Sequence, residues 1–532
     1  WDGIGGYDPE RGSWRAYITA AARNAALNRA RAERVQAAGL PDGVSDQPGP
    51  EEAVIAAEEI DELRRAIDAL PPGDRALIYR KYYYRQSTAQ MASELGLTAR
   101  AVEEQRMPNG VLYRDADAAG LAFTCRFTLC VGRARLPAQT LLHTEWFHAD
   151  CLASYYGVAP LSEEHWRILE NFIRAAGEEH GINMLLTPVF TPPLDTAVNG
   201  ERLTVQLVDV RRDAGVYSFG FEKLGRWAGL CRRHGVEYLE IAHLFTQWGA
   251  HATPKIMAVV DERERRIFGW DVPAASAEYR AFLEAFLPAL RTALEGMGYD
   301  KEHVYYHISD EPSREHLEGY LAAKAVVGPI LKGYKEGCQV IDALSSLEFY
   351  RQGLVRQPVP ANDHIQPFID AQVPGLWVYY CCAQSSLVPN RFFAMESARN
   401  RIMGVLMYLY GIKGFLHWGY NFYNSKFSLH PVDPYRVTHA DYAFPSGDPF
   451  LVYPGPDGAP LSSVRAEVQD DALLDLRALR LLEQLAGRAF VEELIYADAE
   501  MRPMTFRDYP RGAGYLLALR ERVAAEIESR LA

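Results

Sequence analysis

The stretch AEYRAFLEAFLPALRTALEGMGYDKEHVYYHISD, residues 277–310, joins a helical pattern to a short apolar run that ends in an acid. Apolar side chains recur every three to four positions in its first part, which predicts an amphipathic helix. Its last part, VYYHISD, is mostly apolar or aromatic, which predicts a buried strand. The same alternation of helix and strand runs through the chain from about residue 141. It indicates parallel strands joined by helices.

This alternation gives eight predicted strands, which is the number in a closed (β/α)8 barrel. A (β/α)8 barrel has parallel strands with outer helices, and its active site lies at the carboxyl ends of the strands. We therefore predict an α/β fold, a (β/α)8 barrel preceded by a short β-sandwich remnant and an all-α helix-turn-helix segment. The predicted strands are 143–148, 182–190, 238–245, 304–310, 339–345, 364–370, 376–382 and 414–423.

The domain organisation follows from a change in composition near residue 106, where segments rich in Ala, Arg and Glu give way to alternating strands and helices. The predicted segments are 1–40 (helical), 41–50 (linker), 51–106 (helix-turn-helix), 107–140 (β-sandwich remnant), 141–465 (barrel) and 466–532 (C-terminal helices on the barrel).

Composition and charge narrow the function class. The chain has 532 residues, of which 48% are hydrophobic, and a net charge of -13, so it is typical of a globular protein without a large nucleic-acid surface. Its seven cysteines are scattered without CxxC spacing, which favours a reducing compartment, and we predict a cytoplasmic protein. The sequence contains no apolar run of about 18 residues and no signal-peptide pattern, so neither membrane insertion nor secretion is expected.

Two adjacent acids, Asp310 and Glu311, stand at the end of the predicted fourth strand and are followed by Pro312. Acids before a proline are also typical of a helix N-terminus, where Asp310 would cap the first turn. In a barrel, however, this position lies at the mouth, where catalytic groups are found. Both roles are compatible with one another.

Aromatic and hydrogen-bonding residues gather at the predicted strand ends, as in carbohydrate sites, where aromatic faces cover a sugar ring and polar groups bind its hydroxyls. Core packing is the alternative for each aromatic residue taken alone. Gly419, beside Trp418, would let a ligand approach the backbone. The predicted substrate-binding residues are His148, Asn183, Gln247, Trp248, His307, Tyr379, Trp418, Tyr420 and Asn421.

The acids suggest a particular mechanism of glycoside hydrolysis. Residues 376–393, LWVYYCCAQSSLVPNRFF, contain no Asp or Glu, so the predicted seventh strand offers no nucleophile. In substrate-assisted hydrolysis the nucleophile is the 2-acetamido oxygen of the sugar itself. Glu311 would then protonate the leaving oxygen, and Asp310 would orient the amide and stabilise the oxazolinium. No cofactor is expected. The histidines on the predicted strands lack HExxH spacing, so no metal site is expected either.

The segments HTEWFHADCLASYY, GINMLLTPVFTPPLDT, YYHISDEP, LWVYYCC and GFLHWGYNFYN resemble the catalytic domain of glycoside hydrolase family 123. The resemblance extends from about Leu136 to the C-terminus. It implies a β-N-acetylgalactosaminidase, with Asp310 as the assisting residue and Glu311 as the acid/base. Tyr379, Trp418 and the pair Tyr420 and Asn421 are similar in position to its sugar-binding mouth.

The N-terminal part resembles another family. YDPERGSWRAYITAAARNAALNRAR and LPPGDRALIYRKYYYRQSTAQMASELGLTARAV are similar to a sigma-70 factor of the extracytoplasmic-function type. The resemblance covers residues 1–105, but residues 107–110, MPNG, interrupt the recognition helix. A plain helical bundle therefore competes with a contact of residues 1–106 to DNA or RNA polymerase. A natural fusion and a gene-model artefact both fit the junction.

Two other functions compete with a glycosidase. One is a barrel that binds carbohydrate without catalysis. The other is a sigma-like transcription regulator whose barrel senses a sugar, and the acidic net charge counts against it.

Overall fold

The computed structural model describes residues 132–247, 249–310, 316–332, 339–385, 387–499 and 501–531. The chain divides into two compact units, Trp1–Asn109 and Gly110–Ala532. The predicted helical segments up to residue 106 lie outside the described residues, as does the predicted β-sandwich remnant up to residue 131. Residues 132–140, which are described, contain no strand.

Eight parallel strands form one sheet in the order β10-β9-β8-β5-β2-β1-β12-β11, when the strands are numbered along the chain. Apart from the return from β12 to β1, the order follows the chain, as in a (β/α)8 barrel. The predicted fold class is confirmed. The strands are β1 (Leu142–Glu145), β2 (Met184–Thr187), β5 (Tyr238–Ile241), β8 (Val304–Tyr306), β9 (Gln339–Ala343), β10 (Gln357–Val359), β11 (Trp377–Tyr379) and β12 (Gly414–His417).

The barrel closes between β10 and β11 through a short seam just beyond the end of β10. Ala361 forms a single parallel bridge with Tyr379. The Tyr379 N–H donates to the carbonyl of Pro360 at 3.0 Å, and its carbonyl accepts from the Asn362 N–H at 2.9 Å. The sheet is thus nearly closed, with this bridge in place of a longer ladder.

The predicted sixth strand, 364–370, is wrong. Residues Gln366–Asp370 form a short helix with Pro367 in its first turn and Phe368 buried, and the strand is β10 instead. Pro367 suits a helix start because its fixed φ fits the first turn and its missing N–H needs no partner there.

The helices are amphipathic and surround the sheet. Ser276 caps the helix of residues 277–296 by accepting from the Tyr279 N–H at 3.3 Å, a contact of a kind that stabilises a helix by about 1 kcal/mol. The α-helices, in chain order, are α1 (Ala149–Tyr156), α2 (Glu163–Arg174), α3 (Glu222–Arg233), α4 (Ala277–Gly296), α5 (Leu317–Lys332), α6 (Leu347–Arg351), α7 (Gln366–Asp370), α8 (Ser397–Arg401), α9 (Met403–Leu409), α10 (Val464–Ala486), α11 (Arg488–Tyr496) and α12 (Ala513–Leu531).

Helices α10, α11 and α12 close one side of the barrel. Apolar side chains of these helices, among them Leu476, Val491 and Leu519, share a buried core with Val378 of β11 and Phe415 of β12. No helix among the described residues is long and apolar enough to cross a membrane.

A second sheet, which the sequence analysis did not predict, is inserted after β2 and β5. It contains β3 (Asp209–Asp213), β4 (Val216–Gly220), β6 (Ile256–Val260) and β7 (Arg263–Phe268), in the order β4-β3-β6-β7. The edge strand β7, RERRIF, has four exposed charged residues at its start. A hairpin of β13 (Tyr453–Pro454) and β14 (Pro460–Leu461) precedes α10.

Candidate active site

The segment that leads to the acid pair is held on both sides by the neighbouring strands. Asp310 lies four residues beyond the end of β8 and is partly exposed, whereas the residues from Val304 to Ser309 are buried. The Ser309 hydroxyl donates to the carbonyl of Thr246, beyond β5, at 3.2 Å. Glu311 lies outside the described residues.

Asp342, on β9, holds the same segment from the other side. Its Oδ1 accepts the backbone N–H of Ile308 at 3.0 Å and that of Ser309 at 3.4 Å. Its Oδ2 accepts the hydroxyl of Tyr320 at 2.7 Å. Asp342 is fully buried, and these hydrogen bonds compensate for removing its charge from water.

His307, a predicted substrate-binding residue, belongs to a buried charged cluster. Its Nε2 lies 2.5 Å from Oε1 of Glu240, on β5, and its Nδ1 lies 3.8 Å from Oδ1 of Asp342. Glu240 also accepts from Trp146 Nε1 at 2.7 Å and from the Thr144 hydroxyl. Burial would lower the pKa of His307, but the two carboxylates outweigh it and raise the pKa to about 9.

His243 stacks on His307 with ring centroids 4.3 Å apart. Burial lowers the pKa of His243 well below its usual value, and the charge of His307 acts in the same direction. Within the described part of the chain neither ring nitrogen of His243 has a hydrogen-bond partner. The stack thus pairs a neutral imidazole with a cationic one.

We expect the stability of the protein to depend on pH through His307. The folded-state pKa, about 9, exceeds the ordinary value of 6.5, so the stabilisation is complete below pH 6.5 and is lost as the pH rises through 9. A shift of this size corresponds to about 3 kcal/mol. Urea unfolding of the wild type and His307→Gln between pH 6 and about 9.5 measures it. Parallel curves for the two proteins would contradict this role.

A second buried cluster lies at the carboxyl ends of β1 and β12, around Glu145 and His417. Arg391 donates to Glu145 Oε1 at 2.8 Å and to Glu145 Oε2 at 3.2 Å, and to His417 Nδ1 at 2.6 Å. It also reaches Gln469 of α10 at 3.0 Å. Burial opposes ionisation of Glu145, but Arg391 and its neighbours hold the Glu145 pKa far below its usual range. This network joins the end of the barrel to the C-terminal helices.

Trp418 is the most exposed of the predicted aromatic residues that follow β12. Its Nε1 donates to Asp448 Oδ2 at 3.0 Å, and its ring packs against Phe422 and Phe444 with centroids about 5 Å away. Gly419 lies next to it. A Cβ at Gly419 would stand 2.4 Å from the Asp448 carbonyl oxygen, so the close approach predicted for a ligand is made by the chain itself.

His148 and Asn421 connect β1 to the segment beyond β12. Asn421 accepts the His148 N–H at 2.9 Å and donates to its carbonyl at 3.1 Å. The His148 ring lies between the Trp418 carbonyl, at 2.9 Å, and Arg202 Nη2, at 3.1 Å. Burial, together with the charge of Arg202, lowers the pKa of His148 to about 3, so the ring is neutral. These contacts give both residues a structural role.

Three other predicted sugar-binding residues have packing roles in this structure. Tyr420 is fully buried and donates to the Phe172 carbonyl at 3.1 Å. Asn183 precedes β2, at the amino end of the strand, and its amide accepts the His143 N–H at 2.8 Å. Gln247 accepts the Asp195 N–H at 2.5 Å. The direct sugar contacts predicted for these residues stay predictions.

Two predicted residues remain. Tyr379 is buried at the seam of the barrel and is 7% exposed, so little of it reaches the surface. Trp248 lies outside the described residues. Of the predicted sugar-binding set in the described ranges, Trp418 is thus the side chain with the most accessible surface at a strand end.

One group of potential metal ligands occurs in the described ranges, away from the acid pair. His180, Glu467 and Asp470 offer atoms within 4.8 Å of one another, and His180 Nδ1 lies 2.8 Å from Asp470 Oδ2. His180 precedes β2, so the group lies at the amino end of a strand, opposite to the end at which Asp310 stands.

Comparison with known proteins shows the family to which the chain belongs. The family model described as glycoside hydrolase 123, catalytic domain, matches residues 146–482, which is more than half of the chain and includes the acid pair. The chain belongs to glycoside hydrolase family 123. It is therefore a glycosidase that acts on a carbohydrate substrate. The model of sigma-70 region 4 matches residues 60–106, in agreement with the predicted helix-turn-helix segment.

A solved structure of a family 123 glycoside hydrolase from Clostridium perfringens, which was studied for glycolipid glycan hydrolysis, is similar to this glycosidase. The TM-score is 0.53 and the identity is 16%, over 74% of this chain and 69% of the other. At this identity the likeness supports the fold. No curated protein matches the chain.

The sequence analysis missed two buried acids whose hydrogen bonds reach the segment before Asp310. Glu240 and Asp342 are fully buried within β5 and β9. Each is the single acid in a predicted apolar strand, YLEIAHLF or QVIDALS. Because a buried carboxylate needs a charged or hydrogen-bonding partner, an acid at such a position signals a functional or structural network.

Proposed function

We propose that this glycosidase hydrolyses β-linked glycosides of a 2-acetamido sugar, such as an N-acetylgalactosaminide, with retention of configuration by substrate-assisted catalysis. The observation that carries the proposal is the position of Asp310. It is partly exposed beyond the carboxyl end of β8, while the nearby acids Glu240 and Asp342 are buried in hydrogen bonds. Glu311 follows it directly in the chain.

In the proposed reaction the acetamido oxygen attacks the anomeric carbon, and the bond to the leaving oxygen breaks. Glu311 transfers its proton to that oxygen. The Asp310 carboxylate stabilises the positive charge on the oxazolinium nitrogen. Glu311, now ionised, then removes a proton from the water that opens the ring, and the sugar is released with its original configuration. These steps require two carboxyl groups and no cofactor.

The absence of an acid in residues 376–393 supports the substrate as nucleophile, because β11 lies within this range. The clostridial enzyme was studied for glycolipid glycan hydrolysis, which suggests glycolipid glycans as one natural class of substrate to try. Trp418 is proposed as an aromatic surface for the sugar.

We also propose that the enzyme works in the cytoplasm. Cys151, Cys231, Cys381 and Cys382 are free thiols, and Cys381 and Cys382 are adjacent, which suits a reducing compartment. The contact of residues 1–106 with DNA or RNA polymerase stays a prediction.

The test is release of a nitrophenol from β-linked N-acetylgalactosaminide, N-acetylglucosaminide and plain galactoside. We expect turnover only of the acetamido sugars. Within these, kcat should fall as fluorine atoms replace the acetamido methyl hydrogens, because each fluorine weakens the attacking oxygen. Equal turnover of the plain galactoside, or no response to fluorination, would contradict substrate assistance. Binding of these sugars without turnover would favour the non-catalytic barrel.

A further inference from the structure

The segment between β8 and the acid pair has left the strand ladder, and a side chain holds it in place of a strand. The ladder of β8 with β9 ends at the pair of Tyr306 and Val340. Beyond it, the N–H groups of Ile308 and Ser309 point to Oδ1 of Asp342, at 3.0 and 3.4 Å. Asp342 thus continues the connection between the two strands toward Asp310.

The same carboxylate also reaches the chain that comes after the acid pair. Tyr320, in the first turns of α5, donates its hydroxyl to Asp342 Oδ2 at 2.7 Å and is fully buried. One buried side chain therefore holds residues on both sides of Asp310 and Glu311. Both of its oxygens accept hydrogen bonds from residues outside β9.

We propose that Asp342 is the positioning residue of Asp310: through Ile308 and Ser309 it fixes the backbone that leads into Asp310, and through Tyr320 it holds the start of α5. This inference rests on the proposed roles of the two acids. Asp342 itself is buried and does not touch the substrate. It acts through the geometry of the groups that do.

The need for a carboxylate at this position follows from its partners. Two backbone N–H groups and one phenol donate hydrogen bonds to it, and the His307 ring lies 3.8 Å away. An asparagine of the same shape keeps one accepting oxygen and turns an NH2 group toward the other side. It loses the negative charge that faces His307 and one of the two acceptors.

The experiment compares kcat and KM of the full-length wild type with those of Asp342→Asn and Tyr320→Phe. We expect Asp342→Asn to lower kcat by about 10- to 100-fold with KM within about 3-fold, because a small misplacement of reacting groups affects the transition state most. Tyr320→Phe removes only the contact with α5 and should lower kcat less. Unchanged kcat in Asp342→Asn would overturn the inference.

A matched control separates positioning from a general loss of stability. Asp475 of α10 is also a buried acid, but it is bound to Arg401 of α8 at 2.7 Å and to Arg520 of α12 at 2.9 Å, so its contacts are between helices. Asp475→Asn should lower the urea midpoint and leave kcat unchanged. If it lowers kcat as much as Asp342→Asn, the effect belongs to stability and the inference is wrong.

Amide hydrogen exchange keeps this test independent of the proposed reaction. In Asp342→Asn the amides of residues 308 and 309 should exchange at least 10-fold faster than in the wild type, while the β8 amides of residues 305 and 306 change little. Unchanged protection of Ile308 and Ser309 would overturn the inference even if the wild type cleaves none of the acetamido sugars. Faster exchange with an inactive wild type would instead leave the positioning role standing and refute only the proposed function.

Discussion

Replacement of Glu311 by glutamine is expected to lower kcat by a factor of about 10² to 10⁴ and to leave KM nearly unchanged, because glutamine cannot deliver a proton to the leaving oxygen. The loss should depend on the leaving group. A nitrophenolate leaves without a proton, so the rate of its release should fall least. The alcohol group of a sugar needs the proton to leave, so the rate of its release should fall most. Initial rates with a nitrophenyl and a methylumbelliferyl glycoside and a disaccharide measure this.

Two matched variants make the result specific. Asp310→Asn should slow all leaving groups alike, because the proposed Asp310 contact is with the acetamido nitrogen. Glu302→Gln changes an exposed acid before β8 and should leave kcat unaltered. If the decrease in kcat of Asp310→Asn grows with the basicity of the leaving group, or that of Glu311→Gln does not, the roles proposed for the two acids are wrong.

Replacement of Arg391 by methionine is expected to have the largest effect on stability. It leaves Glu145 fully buried without the cation that holds its charge, a situation that costs about 3–5 kcal/mol. The free energy of unfolding in urea, followed by tryptophan fluorescence, measures the effect. We expect the urea midpoint to move well below that of the wild type.

The double variant Arg391→Met with Glu145→Gln tests the cause. If the unpaired charge is responsible, removing it should restore a large part of the lost stability. Arg502→Met breaks an exposed bidentate pair with Glu493 and should change the midpoint little. If the double variant is less stable than Arg391→Met alone, the other contacts of Glu145 stabilise the protein by more than its unpaired charge destabilises it.

The barrel could be predicted from the sequence because its strands are apolar and its helices are amphipathic. Such patterns can be recognised without knowing which elements pack against one another. The sixth strand could not. Its residues, QPV, include Pro358, which normally argues against a strand. Proline is tolerated at sheet edges, and β10 forms its ladder with β9 alone, since only the bridge at Ala361 joins this side to β11.

The prediction of the candidate site rests on a different physical signal. A strand end identifies residues near the mouth, and Asp310 and Trp418 are partly exposed there. The pattern does not say whether a polar side chain at such a place meets a ligand or another part of the chain. Asn421 and Gln247 satisfy backbone groups of distant segments, and those contacts depend on the tertiary fold.

The second sheet has a further consequence, for the behaviour of the protein at high concentration. A barrel leaves few unpaired backbone groups, but the sheet of β4, β3, β6 and β7 has two outer strands. A flat apolar outer strand invites pairing with another molecule and growth into aggregates. Along β7 the side chains of residues 263–266, Arg-Glu-Arg-Arg, are all exposed. Charged side chains on an outer strand oppose its pairing with another copy, because pairing would remove them from water, and we expect them to limit self-association at this edge.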